Sequence, residues 1–137
     1  MNEYIIDKIM NPSNQGEIEN ADAVGTVGKV SCGDITRIYL KIDNGIITDA
    51  KFKTYGCGIS IAAASIGTDM IIGKTIEEAS KITNEDVLKE LNGGKELKFH
   101  CTTLIEDAIK DALLDYSNKN NIVIKGLKMP LNKDLEL

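Results

Sequence analysis

The feature that most constrains the fold is a change in the spacing of apolar residues near the middle of the chain. From Thr36 to Ile42 apolar and polar residues alternate, which is typical of a strand with one buried face. Asn44-Gly45 then favours the positive φ angles of a tight hairpin turn, and a returning strand is predicted from Ile46 to about Tyr55. From Ile59 onward the apolar residues recur at helical spacing. The sequence therefore predicts strands first and helices afterwards.

One more strand and three more helices complete the predicted architecture. A glycine-spaced strand from Val24 to Val30 precedes the hairpin. A short N-terminal helix is predicted with four apolar residues on one face, namely Ile5, Ile6, Ile9 and Met10. Thr75 and Glu78 have the spacing of a capping box, and Asn84 could cap another short helix. The last long helix buries a face that includes Leu104 and Leu113. This order predicts the α+β class, with a three-stranded antiparallel sheet and helices packed on one of its faces.

The length and the charge limit the domain organisation and the partners. A chain of 137 residues fits one domain, which we place at residues 1–120, followed by a C-terminal tail at 121–137 whose structure the sequence does not predict. The net charge of −5 argues against nucleic acid as a main partner. No apolar stretch approaches the roughly 18 residues that a membrane span needs. Glu3 and Asp7 fit neither a secretory signal nor a transit peptide, so we expect a cytoplasmic protein.

Three cysteines, Cys32, Cys57 and Cys101, lie at predicted turns rather than inside strands or helices. Their odd number and wide spacing exclude a complete disulfide framework and indicate reduced thiols. Cys57 and Cys101 lie near predicted helix N-termini, where the partial positive charge favours the thiolate form that binds metal. Asp34 follows Cys32 by two residues, and His100, the single histidine, adjoins Cys101. These five groups could form one metal site with sulfur, nitrogen and oxygen ligands.

Other interpretations of these residues stay open at this point. Free cysteine is often a core residue, and Asp34 after Gly33 fits an ordinary turn. The wide cysteine separations lack the local pairs of a zinc finger, although a small zinc-stabilised binding domain remains an alternative. An enzyme such as a sulfurtransferase, with Cys101 as nucleophile and His100 as base, is a second alternative. The residue types alone do not decide between these functions.

The motifs around the cysteines resemble the iron-sulfur cluster assembly scaffold family, the IscU and NifU N-terminal type. The similar segments follow the family order from about Tyr4 to Tyr116. They include Asn11-Pro12, Cys32-Gly33-Asp34, the run from Asp49 to Gly58, His100-Cys101 and the run from Glu106 to Lys110.

The resemblance implies a scaffold rather than an enzyme. Such a scaffold takes sulfur from a cysteine desulfurase and iron from an iron donor, builds a [2Fe-2S] cluster, and passes the cluster to acceptor apo-proteins. It also implies the fold known as the SufE/NifU fold. The implied ligands are Cys32, Cys57 and Cys101, with Asp34 associated with a labile cluster and His100 as a possible fourth ligand. Zinc is expected to occupy the same pocket in the protein as isolated.

One segment departs from the family pattern. Many members carry Leu-Pro-Pro-Val-Lys, a chaperone-recognition segment, shortly before the histidine, whereas this chain has Gly94-Lys95-Glu96-Leu97-Lys98. Two prolines keep a peptide extended, whereas Gly93-Gly94 allows many backbone conformations. We therefore expect cluster transfer to depend little on an Hsp70-type chaperone.

Overall fold

The computed structural model describes residues 3–29, 34–56, 58–91 and 104–127. In chain order the elements are α1 (Glu3–Met10), β1 (Ala23–Lys29), β2 (Asp34–Asp43), β3 (Ile46–Tyr55), α2 (Gly58–Ile71), α3 (Ile76–Ala79), α4 (Asn84–Leu91) and α5 (Ile105–Asn120). The strands form one antiparallel sheet in the order β1-β2-β3. Helices α2 and α5 pack on its apolar face. The predicted α+β class is therefore confirmed.

The two faces of the sheet differ as the alternation in the sequence predicts. Ile38 and Leu40 of β2 are fully buried, whereas the intervening Tyr39 is partly exposed. The β2–β3 turn uses Asn44 and Gly45 with φ angles of 51° and 73°, as predicted for this pair. The inward residues of β2 and β3 therefore form one side of the core.

Helix α2 is the central helix of the described structure. It contacts β3 on one side and α1, α4 and α5 on others, so most of its residues are buried. Alanines at 62, 63 and 64 leave room for these close neighbours. A helix covered on nearly all sides needs no polar face, and α2 accordingly carries few charged residues.

Helix α5 covers the free edge of β1 with carboxylates. A Cβ atom at Gly25 would collide with the backbone of α5, so this glycine permits the close approach of the helix. Thr26 N donates to Asp111 Oδ2 at 2.9 Å, and Val24 N donates to Asp115 Oδ2 at 3.0 Å. These bonds satisfy amides that an edge strand would otherwise leave free.

The opposite edge, on β3, is covered by the segment after α1. Phe52 N donates to Asn14 O at 2.9 Å, and Gly16 N donates to Phe52 O at 2.8 Å. The Asn14 side chain also donates to Thr68 Oγ1 of α2 at 3.0 Å. The segment from Asn14 to Gly16 therefore connects α2 to β3.

The predicted four-residue apolar face of α1 is wrong in part. Ile5 is buried and Ile9 packs against Gly58 at the start of α2, but Ile6 and Met10 are 48% and 72% exposed. Ile5 and Ile9 lie one turn apart, whereas Ile6 and Met10 are rotated about 100° from them around the helix axis. Because α1 packs mainly against α2, only the stripe that contains Ile5 and Ile9 is covered.

The helix caps confirm one prediction and correct another. Thr75 and Glu78 form the capping box of α3, and its hydrogen bonds lower the pKa of Glu78. Helix α4 is capped by Thr83, since Thr83 Oγ1 accepts from Asp86 N at 3.1 Å and Thr83 N donates to the Asp86 carboxylate. Asn84 is therefore not the cap of α4 as predicted. Its Oδ1 accepts from Glu106 N at 3.0 Å and satisfies the first turn of α5.

The chain continues along the core after α5. Ile124 is buried and Leu127 packs against the core, and Ile122 N donates to Ser117 O at 3.1 Å. Residues 128–137 lie outside the described residues, so the predicted division at residue 120 stays a prediction. Across the described ranges, no helix combines the length and the apolar character needed to cross a membrane.

Candidate functional site

Asp34 is the first residue of β2 and faces the helices. Its position is in phase with Thr36, Ile38 and Leu40, so strand alternation turns its side chain inward. Asp34 is only 5% exposed. The open alternative, in which Asp34 is an ordinary turn residue, is therefore wrong.

The Asp34 carboxylate lies against Gly56, the residue after β3. A Cβ atom at position 56 would overlap Asp34 Oδ1 and would lie 3.1 Å from Asp34 Cγ. Gly56 therefore leaves the space that the carboxylate occupies. Because Cys32 precedes Asp34 by two residues and Cys57 follows Gly56, this contact joins the chain segments that carry two of the predicted ligands.

The Asp34 carboxylate makes no hydrogen bond or ion pair within the part of the chain that the structure describes. No side-chain oxygen of the described residues is both fully buried and unpaired, so the Asp34 oxygens keep a small solvent-accessible surface. An unpaired carboxylate that solvent can still reach is open to a cation.

A polar layer surrounds Asp34, and the sequence analysis missed it. Thr36 is 2% exposed and Ser60, in the first turn of α2, is 5% exposed. Thr36 Oγ1 lies 2.8 Å from Thr54 Oγ1. The sequence could have indicated this layer, because alternation places Thr36 on the same inward face of β2 as Ile38 and Leu40, where an aliphatic residue is expected. The core is thus polar at this end and apolar from Ile38 onward.

Four of the five predicted ligands, Cys32, Cys57, His100 and Cys101, lie outside the described residues, so their roles stay predictions. Asp34 is the described member of the set. Among the residues that the structure describes, no group of three or more histidine, cysteine, aspartate or glutamate side chains is placed to hold a metal ion.

The described elements nevertheless direct the cysteine segments toward one end of the sheet. Lys29 pairs with Asp34, so the connection containing Cys32 leaves the sheet beside Asp34. Cys57 directly precedes the first residue of α2. The contacts of Asp111 with Thr26 and of Asp115 with Val24 make α5 antiparallel to β1. The N-terminal end of α5, which follows Cys101, therefore points toward the end of β1 that leads to Cys32.

The sheet, the covering helices and the buried Asp34 carboxylate define a small α+β domain with a group of buried polar residues where β2 begins. The NifU-like N terminal domain family matches residues 1–123. The chain belongs to this family, and the predicted resemblance is confirmed.

Named relatives cover most of the chain. The iron-sulfur cluster assembly scaffold protein IscU 1 of Archaeoglobus fulgidus is 46% identical over 132 residues, which are 96% of this chain and 86% of that protein. The scaffold protein IscU of Escherichia coli strain K12 is 46% identical over 121 residues, covering 85% and 94% of the two chains. The crystal structure of an N-terminal NifU-like protein from Brucella abortus is similar in fold, with a TM-score of 0.65, 23% identity and coverage of 86% and 94%.

Proposed function

We propose that this protein is a scaffold on which a [2Fe-2S] cluster is built from iron and desulfurase-derived sulfur and then transferred to acceptor apo-proteins. The names of the relatives in A. fulgidus and E. coli support this role. The observation that carries the proposal is the Asp34 carboxylate, which is 5% exposed, lies against Gly56 and has no partner among the described residues. Such a group is suited to bind incoming iron.

The proposed ligands combine strong and weak donors. The thiolates of Cys32, Cys57 and Cys101 would hold the cluster, since thiolates are the usual cluster ligands. Asp34 supplies a hard oxygen donor that is poorly matched to a cluster built on soft sulfide, and His100 is an alternative fourth ligand. A site with three thiolates and one weaker donor holds its cargo less firmly than four thiolates would. A scaffold must release its cluster to an acceptor, and weaker binding of the cluster allows this release.

The first turn of α2 supports the chemistry at Cys57. The partial positive charge at the N-terminus of a 14-residue helix favours an anion at the preceding residue. Thiolate is also the form that attacks a persulfide or disulfide sulfur. Cys57 is therefore well placed in the chain both to receive sulfur from a desulfurase and to hold iron.

The core favours a scaffold over a zinc-stabilised domain. Most of the buried apolar residues lie away from the polar end and belong to β1, β2, β3, α2 and α5. Such a core can fold without metal, whereas a structural zinc site contributes the folding energy itself. We propose that zinc occupies the same ligands in the isolated protein, in tetrahedral coordination, and competes with the cluster.

Anaerobic reconstitution tests the proposed function. The protein is mixed with ferrous iron, cysteine, a cysteine desulfurase and excess dithiothreitol, which supplies the electrons that reduce persulfide sulfur to sulfide. The visible absorption of bound cluster is then recorded. A reaction without desulfurase serves as the control. A gel-filtered product with cluster absorption and two iron atoms per cluster is expected, while a product without these bands under several conditions would remove the scaffold proposal.

A further inference from the structure

Two threonines connect β2 and β3 directly beside Asp34. Thr36 and Thr54 are register partners, and their hydroxyl oxygens lie 2.8 Å apart. Thr54 Oγ1 also donates to the backbone oxygen of Ile35 at 2.9 Å. A hydroxyl has one proton, and Thr54 uses it on Ile35, so Thr36 is the donor to Thr54. The direction of both hydrogen bonds is thereby fixed.

This chain of hydrogen bonds ends on the peptide that joins Ile35 to Thr36. A side chain of β3 therefore holds the backbone of β2 at the residue after the buried carboxylate. Ile35 is in register with Tyr55, and the next residues outward, Asp34 and Gly56, are in contact. The hydroxyl pair thus fixes the two strand ends between which the Asp34 carboxylate is placed.

Core packing alone does not require hydroxyl groups at these positions. The next inward pairs of the two strands, Ile38 with Phe52 and Leu40 with Ala50, are apolar and fully buried. Valine has nearly the shape of threonine and would bury as much apolar surface at position 36. A neutral hydrogen bond adds only modestly to stability, so the polar pair is better explained by its place beside Asp34 than by folding energy.

We propose that Thr36 and Thr54 are positioning residues for Asp34 in cluster handling, an inference that rests on the proposed scaffold function. They fix the position of the Ile35 carbonyl group. The backbone next to Asp34 is then fixed as well, and with it the orientation of the Asp34 carboxylate. Without the hydroxyl pair the carboxylate is less well aimed at the cluster. The variant proteins should then resemble a protein that lacks the carboxylate.

The test measures the half-life of the reconstituted cluster in the presence of a chelator. The variants Thr36→Val and Thr54→Val are compared with Thr54→Ser, which keeps the hydroxyl group. Each valine variant should retain its cluster longer than the parent, with the half-life of Asp34→Ala as the upper limit, and Thr54→Ser should remain close to the parent. In an Asp34→Ala background Thr36→Val should have no further effect. An equal effect of Thr36→Val in both backgrounds would overturn the inference, because the threonine would then act independently of Asp34.

Two controls separate the possible failures. Thermal unfolding of each apo-protein measures how much each substitution changes the stability of the fold. If Thr36→Val does not fold, the comparison of Thr54→Val with Thr54→Ser tests the positioning role by itself. A parent protein that forms no cluster overturns the scaffold proposal itself. A parent that forms a cluster, with valine variants of unchanged cluster half-life, overturns only the positioning role.

Discussion

The Asp34 carboxylate lies so close to Gly56 that a Cβ atom there would overlap Oδ1 and approach Cγ to 3.1 Å. This contact joins the start of β2 to the residue after β3. It places a buried carboxylate, 5% exposed, beside the backbone that leads into Cys57. The neighbouring carboxylate and a φ angle of 155° both favour glycine at position 56. Asp34 and Gly56 are therefore targets for experiment.

Asp34→Ala should slow the loss of a reconstituted cluster, because it removes the hard oxygen donor from a site otherwise built on sulfur. The measurement is the decay of visible absorption after addition of a chelator or an apo-ferredoxin. Asp43→Ala is the matched control, since Asp43 is exposed at the other end of the same strand. Faster loss from Asp34→Ala than from the parent would contradict the role given to the carboxylate.

Gly56→Ala should change cluster lifetime in the same direction as Asp34→Ala, because the added methyl group occupies the space of the carboxylate and turns it away. The double variant should behave like Asp34→Ala alone, since residues that act through one contact are not additive. Chelator-driven decay again gives the measurement. If Gly56→Ala still changed the lifetime when Asp34 was absent, the methyl group would be acting through the backbone or Cys57.

Replacement of any one of Cys32, Cys57 and Cys101 by serine should cripple cluster assembly, because a cluster needs at least three strong ligands and the chain has only these thiols. Iron and sulfide content after anaerobic reconstitution measures the loss. Normal assembly in two of the three variants would show that the cysteines do not share one site. Loss of function in Cys101→Ser alone would favour the alternative of a nucleophilic enzyme.

Asp111→Ala should lower the free energy of unfolding by about 1–3 kcal/mol, because it removes a buried carboxylate and leaves the part-buried Thr26 amide without its acceptor at the edge of β1. Urea denaturation measures the change. Asp115→Ala is the matched control: it removes the acceptor of Val24 N, but its carboxylate is 31% exposed and water can replace it. Equal losses from both variants would mean that burial of the edge amide is not the cause.

Introducing Leu-Pro-Pro-Val-Lys at Gly94 to Lys98 should strengthen recognition by a scaffold-specific Hsp70, because a glycine-containing sequence loses more conformational entropy on binding than a proline-rich one. Stimulation of the chaperone ATPase by the parent and by the variant is the measurement. Equally strong stimulation by both proteins would show that the missing motif is unimportant here.

The sequence by itself determined the elements and the family. Alternation placed Ile38 and Leu40 on the inner face of β2, Asn44-Gly45 gave the hairpin, and Thr75 with Glu78 gave a capping box. These features depend on residues within one element or a few positions apart, so their periodicity and spacing are visible in the chain itself. The motifs around the cysteines were enough to predict the family.

The tertiary structure decided what depends on contacts between distant segments. Only packing shows that Asp34 is buried against Gly56 rather than exposed in a turn, and that Thr36 donates to Thr54. Asn84 accepts from the first turn of α5, twenty-two positions away, instead of capping its own helix. Periodicity reports which way a side chain faces within its element, but the partner on that side is set by how strands and helices pack. For this protein that packing creates the polar end of the core.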